Sequence, residues 1–468
     1  MGFVRNKVVA LLLGTSGLGI IGIYQSVIDM VRAFSGLGLD MGAIRDVAQA
    51  NSKEQEEVDR TVSVFKRWFF FTAVLGAAIC VIFCISLSKW AFDDDKHALP
   101  IALLSISVFL IAITAGKSVV LQGLRQIPFM AKASVCESVF GIFIIVPVYY
   151  FLGIDGVIPV LLFNALLVYC CVSFFYRRLG IKTVKVSVEE TIMTGSKTLQ
   201  LGIFIILGSI VNTSSMFILR AYISRDLGGL DSVGLFQSAW SIMMVYVGLI
   251  LGSTGSDIYP RLCAVCNDRQ EVRKLVNEQT YIILVLAIPI VVGMLLLPDF
   301  ALWLLYSSKF AGAKVILLWM VIGSFFKVLA SPIASIMLAK NKGIMYLLSE
   351  VVFFVVFLAS AYLLSLTMGI AGIGIGFLIA YITYLIMVFV IGRKISGFGW
   401  NRNIMQMIAV AVLLFTATYY TATSLNGYML IAAGSLLLLI SIGYAISKLS
   451  KVFDITDLKS WLKKKGKK

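Results

Sequence analysis

The chain is poor in the groups that do chemistry. It has one histidine, His97, and only 24 acidic residues among 468. Charged residues of either sign make up 14%. With a single histidine, metal-centred or acid–base catalysis has little to work with. No Ser-His-Asp set, metal-ligand cluster or phosphate loop is evident in the sequence. A hydrolase or an ATPase would need one, so the chain does not read as an enzyme and implies no cofactor. Soluble stretches are also missing. The polar gaps are at most about 25 residues long, too short for a separate globular domain.

What fills the chain is hydrocarbon. Hydrophobic residues make up 60%, and the mean hydropathy is +0.96. The apolar residues form some thirteen blocks near 19–41, 68–90, 98–120, 132–152, 155–176, 198–221, 233–255, 279–298, 315–338, 345–366, 370–392, 404–424 and 428–447. About 20 helical residues cross ~30 Å of bilayer core. The blocks are continuously apolar, not alternating, which favours helices over a barrel. The fold class expected is all-α integral membrane, with 13–14 spans.

The net charge of +16 is distributed as membrane topology demands, so it does not suggest nucleic acid. Arg45–Arg67, Arg125–Lys132, Arg177–Lys197, Arg261–Lys274, Lys340–Lys342, Arg393–Arg402 and the tail from Lys448 are rich in Lys and Arg. The intervening gaps, near Asp93, Gly153, Gly369 and Asn426, are not. Positive charge marks the cytoplasmic side, which puts the C-terminus there. Of the seven cysteines, Cys263 and Cys266 form a lone CxxC, too few ligands for structural zinc.

The sequence repeats. Gly22-Ile23-Tyr24-Gln25-Ser26 matches Gly234-Leu235-Phe236-Gln237-Ser238. Both segments enter the membrane from one side, which indicates a parallel repeat about an axis along the membrane normal. The apolar run Val8–Leu13 then reads as the stump of a preceding helix. Its counterpart starts near Leu199, so the full first helix is expected to begin about 13 residues before Met1. Gly17 to Gly22 reads as GxGxxG but lacks the strand and acid of a dinucleotide site; a glycine-rich loop between helices is the simpler reading. Gly372, Gly374 and Gly376 suit close helix packing. Ser187 and Glu190 suggest a capping box that opens an amphipathic segment along the membrane surface.

Ionisable residues inside spans are costly and tend to face a cavity or a partner. Asp29 and Arg32 share a helix face. Asn212 and Arg220 lie together on the 198–221 block. Lys327 is the deepest cation. Lys117 and Glu137 sit near the inner ends of their spans, and Glu350 begins the next block. Arg32, Arg220, Lys327, Asn212 and Lys117 are candidates for an anionic cargo, and Asp29, Glu137 and Glu350 for ion coupling. The plainer alternative is that each side chain snorkels or pairs structurally.

The stretches Arg5-Asn6-Lys7 to Gly19, Gly36-Leu37-Gly38-Leu39, Ile44-Arg45-Asp46-Val47-Ala48, Gln122-Gly123-Leu124-Arg125 and Tyr259-Pro260-Arg261-Leu262 resemble Wzx-type polysaccharide flippases. These belong to the polysaccharide transporter family of the MOP superfamily. The resemblance implies two six-helix bundles related by a pseudo-two-fold axis. On that pattern 1–180 is the N-terminal bundle, 181–197 a cytoplasmic linker, 198–394 the C-terminal bundle, and 395–468 an extra helix pair with a basic tail. It implies a bacterial inner-membrane protein that translocates an undecaprenyl-diphosphate-linked oligosaccharide, such as an O-antigen unit, by alternating access. Its partners would be membrane lipids, a polysaccharide polymerase and chain-length machinery. A MATE-type drug exporter is the main alternative, but such proteins want acidic cavities, whereas deep cations outnumber acids here. A polymerase or ligase would want a polar outer loop, and the longest outer stretch, Asp299–Lys314, is mostly apolar.

Overall fold

The computed structural model describes residues 2–450 except Ser52, Lys53, Lys185, Cys266, Asn267, Asn341 and Asn426; at 2–5, 41, 188, 190, 194–206, 253–257, 259, 260, 263 and 264 it describes the backbone alone. The basic tail beyond 450, Cys266 and the side chains of Cys263, Tyr259, Pro260 and Glu190 lie outside the described residues. Among those described, every regular element is a helix. Eleven segments are long and apolar enough to cross a membrane, one of which, Ile127–Arg177, contains two helices. This is a multi-pass membrane protein.

The chain divides into two compact units. The first, Met1–Ser238 with Leu304–Phe310, holds α1 (Gly2–Ser35), α2 (Leu39–Ala50), α3 (Gln55–Ile82), α4 (Cys84–Phe92), α5 (Ala98–Gly123), α6 (Ile127–Leu152), α7 (Val157–Arg177), α8 (Val188–Asp226) and the start of α9 (Gly229–Ala264). The second, Ala239–Trp303 with Ala311–Lys468, holds the rest of α9 and most of α11 (Pro298–Leu305). It also holds α10 (Arg269–Leu296), α12 (Lys314–Ala339), α13 (Gly343–Met368), α14 (Ala371–Ser396), α15 (Arg402–Ser424) and α16 (Gly427–Leu449).

The repeat extends well beyond five residues. α3 and α10 are each 28 residues long, and α5, α12, α6 and α13 are each 26. The α6–α7 turn, Gly153-Ile154-Asp155-Gly156, has its twin in Gly369-Ile370-Ala371-Gly372 between α13 and α14. Both turns open on a left-handed glycine, at φ 55° and 57°, where a side chain would be strained.

Three expectations need correction. The 19–41 block ends as a helix at Ser35, because Leu37 and Gly38 both adopt positive φ; α2 is separate. The 68–90 block breaks at Phe83 into α3 and α4. Residues 17–22 are helical rather than a loop: the chain breaks only at Gly14 (φ 69°), which splits α1 in two. The segment after Ser187 feeds the 198–221 block as one helix, α8, with no proline between 188 and 226 to stop it.

Glycines set the close approaches. A Cβ on Gly19 would strike the Leu230 carbonyl, and one on Gly234 the Thr15 carbonyl, so α1 and α9 cross backbone to backbone. In α14, a Cβ on Gly374 would come within 2.8 Å of the Ile316 carbonyl, and one on Gly376 within 2.7 Å of the Ala361 nitrogen. That is the small-residue packing the sequence indicates.

Candidate functional site

Two polar constellations lie on the spanning helices, one in each unit. In the first unit Arg220 of α8 is only 9% exposed. Its Nη1 donates to Ser26 Oγ at 2.6 Å, and its Nε and Nη2 both donate to Gln237 Oε1 at 3.2 and 2.9 Å. Ser26 can accept because its own hydroxyl donates to the Gly22 carbonyl. Gln25 Nε2 donates to Asp29 Oδ1 at 3.0 Å, and Arg32 and Arg220 both lie within electrostatic reach of that carboxylate. A guanidinium taken out of water needs this many acceptors.

In the second unit Lys327 of α12 is half-buried. Its Nζ lies 3.9 Å from Met244 Sδ and 5.5 Å from the centre of the Tyr381 ring. Glu350 lies two turns into α13 and accepts from the Tyr384 hydroxyl at 2.9 Å. It is within electrostatic reach of Lys327. Behind Tyr381 stand Phe353 and Phe377, with ring centres at 4.4 and 4.7 Å. The ammonium thus sits on an aromatic floor beside a tyrosine-held carboxylate, a setting suited to an anionic group.

The structure brings together Asp29, Arg32 and Arg220, and separately Lys327 and Glu350. It leaves three other candidates outside both groups. Lys117 donates to Ser173 Oγ at 2.6 Å. Glu137 on α6 faces Cys171, and Asn212 is exposed. The sequence reading missed Gln25, Ser26, Gln237, Tyr381 and Tyr384 as partners. The first three are the repeated Gln-Ser pair itself, read only as a mark of duplication. Among the described residues no group of His, Cys, Asp and Glu could hold a metal ion.

His97, at the start of α5, is tied to the end of α4. Its Nδ1 lies 2.7 Å from the Tyr24 hydroxyl, and its ring stacks on Phe92 at 3.8 Å. Burial, helped by Lys96 and opposed by Asp94, lowers its pKa below the usual histidine value.

Residues 8–315 match the family described as polysaccharide biosynthesis protein. The chain belongs to that family. A lipid III flippase of Escherichia coli (strain K12) is 23% identical over 387 residues, covering 82% of this chain and 92% of the relative. A protein described as a putative O-antigen transporter of Shigella flexneri is 23% identical over 376 residues, covering 79% and 88%. Among solved structures, an inward-facing MATE transporter of the MOP superfamily superposes with a TM-score of 0.70 at 17% identity, covering 86% and 94% of the two chains. The lipid II flippase MurJ in an inward closed conformation gives 0.65 at 15%, covering 92% and 97%. The fold is that of MOP transporters, and the Wzx-type resemblance holds.

Proposed function

We propose that this polysaccharide-family protein is a flippase for a lipid-linked oligosaccharide diphosphate, working by alternating access in a bacterial inner membrane with its C-terminus cytoplasmic. The observation that carries the reading is Lys327: a half-buried ammonium, deep in a span, next to an aromatic floor and without a direct ion pair among the described residues. A charge this deep in a span is costly, faces a cavity or a partner, and marks a substrate pathway, and a sugar diphosphate cannot cross hydrocarbon unaided. The relatives named for lipid III and O-antigen support this class of cargo; the O-antigen unit is the finer form of the proposal. The bundles would be 1–180 and 198–394, in keeping with the equal helix lengths of the repeat, with 181–197 as linker and 395–468 added. Arg32 and Arg220, with Asp29 and Glu350 as coupling acids, complete the charged set.

The decisive experiment is deletion of the gene and complementation. Loss of surface glycan with build-up of its lipid-bound precursor supports the proposal. Lys327→Ala should then reduce export while the protein still inserts normally. Unchanged surface glycan in that variant counts against the role of Lys327. A drug-exporter reading draws on the MATE-like fold and on the second embedded acid, Glu350; altered drug sensitivity with unchanged glycan in the deletion strain would favour it.

A further inference from the structure

The first unit holds an open pocket of about 870 Å³ that belongs to neither constellation. Four cations line it: Lys66 and Arg67 from α3, Lys117 from α5 and Arg177 from α7. Its described lining contains no Asp or Glu. Lys117 lies 3.8 Å over the Tyr169 ring and donates to Ser173. Arg67 donates to the Val186 carbonyl at 2.6 Å and to Thr191 Oγ1 at 3.3 Å. These hydrogen bonds go to neutral oxygens. The remaining lining is largely apolar. Phe70, 55% exposed, meets Phe109 edge-on at 6.0 Å, so the lining continues onto surface that faces acyl chains.

The fold does not demand these charges, as the second copy of the repeat shows. Counted from the start of each helix, Lys66 and Arg67 of α3 fall on Thr280 and Tyr281 of α10, and Lys117 of α5 falls on Ile333 of α12. Only Arg177 keeps its charge, as Arg393, when the glycine turns are aligned. The repeat retains one cation of the four, and Lys117, on a span, lies outside the basic gaps that set orientation.

We propose that this pocket binds the phosphate of an anionic lipid, with the lipid chain lying along Phe70 and Phe109. The arginines offer bidentate contacts and the lysines point charges to a phosphate. A glycerophospholipid and an isoprenyl phosphate share this chemistry. Inorganic phosphate lacks the chain.

The test uses the purified full chain in phosphatidylcholine nanodiscs, titrated with phosphatidylglycerol and read by native mass spectrometry of the retained lipid. The wild type should retain phosphatidylglycerol in preference to phosphatidylcholine. Lys66→Gln with Arg177→Gln, both exposed, should weaken retention by about fivefold for each cation removed. Lys117→Met, which keeps the apolar stem, should do so through a single change, and Arg393→Gln should not. Competition by an isoprenyl phosphate at lower concentration than phosphatidylglycerol would name the isoprenyl lipid as the occupant, and the reverse order the phospholipid. Equal retention by wild type and the cation variants overturns the proposal, as does displacement by inorganic phosphate alone.

Discussion

Arg220 is buried to 9% exposure and spends three N–H groups on Ser26 and Gln237. Its fork geometry is what lysine lacks. Arg220→Lys should therefore destabilise the first unit by about 1–3 kcal/mol, seen as a lower unfolding temperature in detergent. Gln237→Ala should lose much less in the Arg220→Lys background than in the wild type, because the two residues act as one unit; additive losses would separate them. His97 gives a pH-dependent counterpart. Its pKa is lowered in the folded chain, so protonation opposes the folded arrangement. The contribution is fully present above the free histidine value of about 6.5 and is lost as pH falls below it. Thermal unfolding of wild type should drop between neutral pH and about 5 more steeply than that of His97→Gln; parallel curves would remove His97 from the account.

Helix ends and crossings were only partly legible. The spans themselves follow from apolar length, but the breaks at Leu37-Gly38, where φ turns positive, and at Phe83, where the backbone leaves helical geometry at φ −97° and ψ 7°, sit inside hydrophobic blocks, where hydropathy is blind to backbone angles. The Gly14 break was signalled by the short Val8–Leu13 run. Two of the GxGxxG glycines, Gly19 and Gly22, face α9, and only the partner helix reveals that. Their weights should differ sharply. Gly234→Ala drives a Cβ into the Thr15 carbonyl and neither backbone can yield cheaply, so assembly of α1 against α9 should fail, read as loss of the folded, detergent-stable species. Gly369→Ala meets nothing within 4 Å and carries only the backbone strain of a conformation that glycine adopts readily, about 1–3 kcal/mol. A Gly234→Ala protein as stable as Gly369→Ala would show that α1 and α9 do not cross at these glycines.

At the scale of the whole molecule, duplication and charge carry different information. Three helix pairs keep their length between the two copies, α3 with α10, α5 with α12 and α6 with α13, so that part of the chain's path was encoded twice; the sequence reading found matches only around α1 and α9, because apolar side chains exchange freely in lipid while helix length and glycine turns do not. The Gln-Ser pair repeats, but the deep charges of the second unit do not: Lys327 falls on Ile111, and Glu350 on Ser134, when α12 is set on α5 and α13 on α6. Each copy has therefore kept the same scaffold and acquired its own charges, which is why site residues could be named from the sequence but their partners could not. The twin glycine turns also fix a test of topology. Gly153 and Gly369 both lie in gaps poor in Lys and Arg, whereas Arg178 and Lys394 follow one span later in basic ones. The positive-inside bias sorts such gaps to opposite faces. In a background with the native cysteines replaced, single cysteines at Asp155 and Ala371 should react with a membrane-impermeant thiol reagent on intact cells. Cysteines at Arg178 and Lys394 should react only after the membrane is opened. Labelling of one twin turn without the other would mean that the two copies do not cross the bilayer in the same sense.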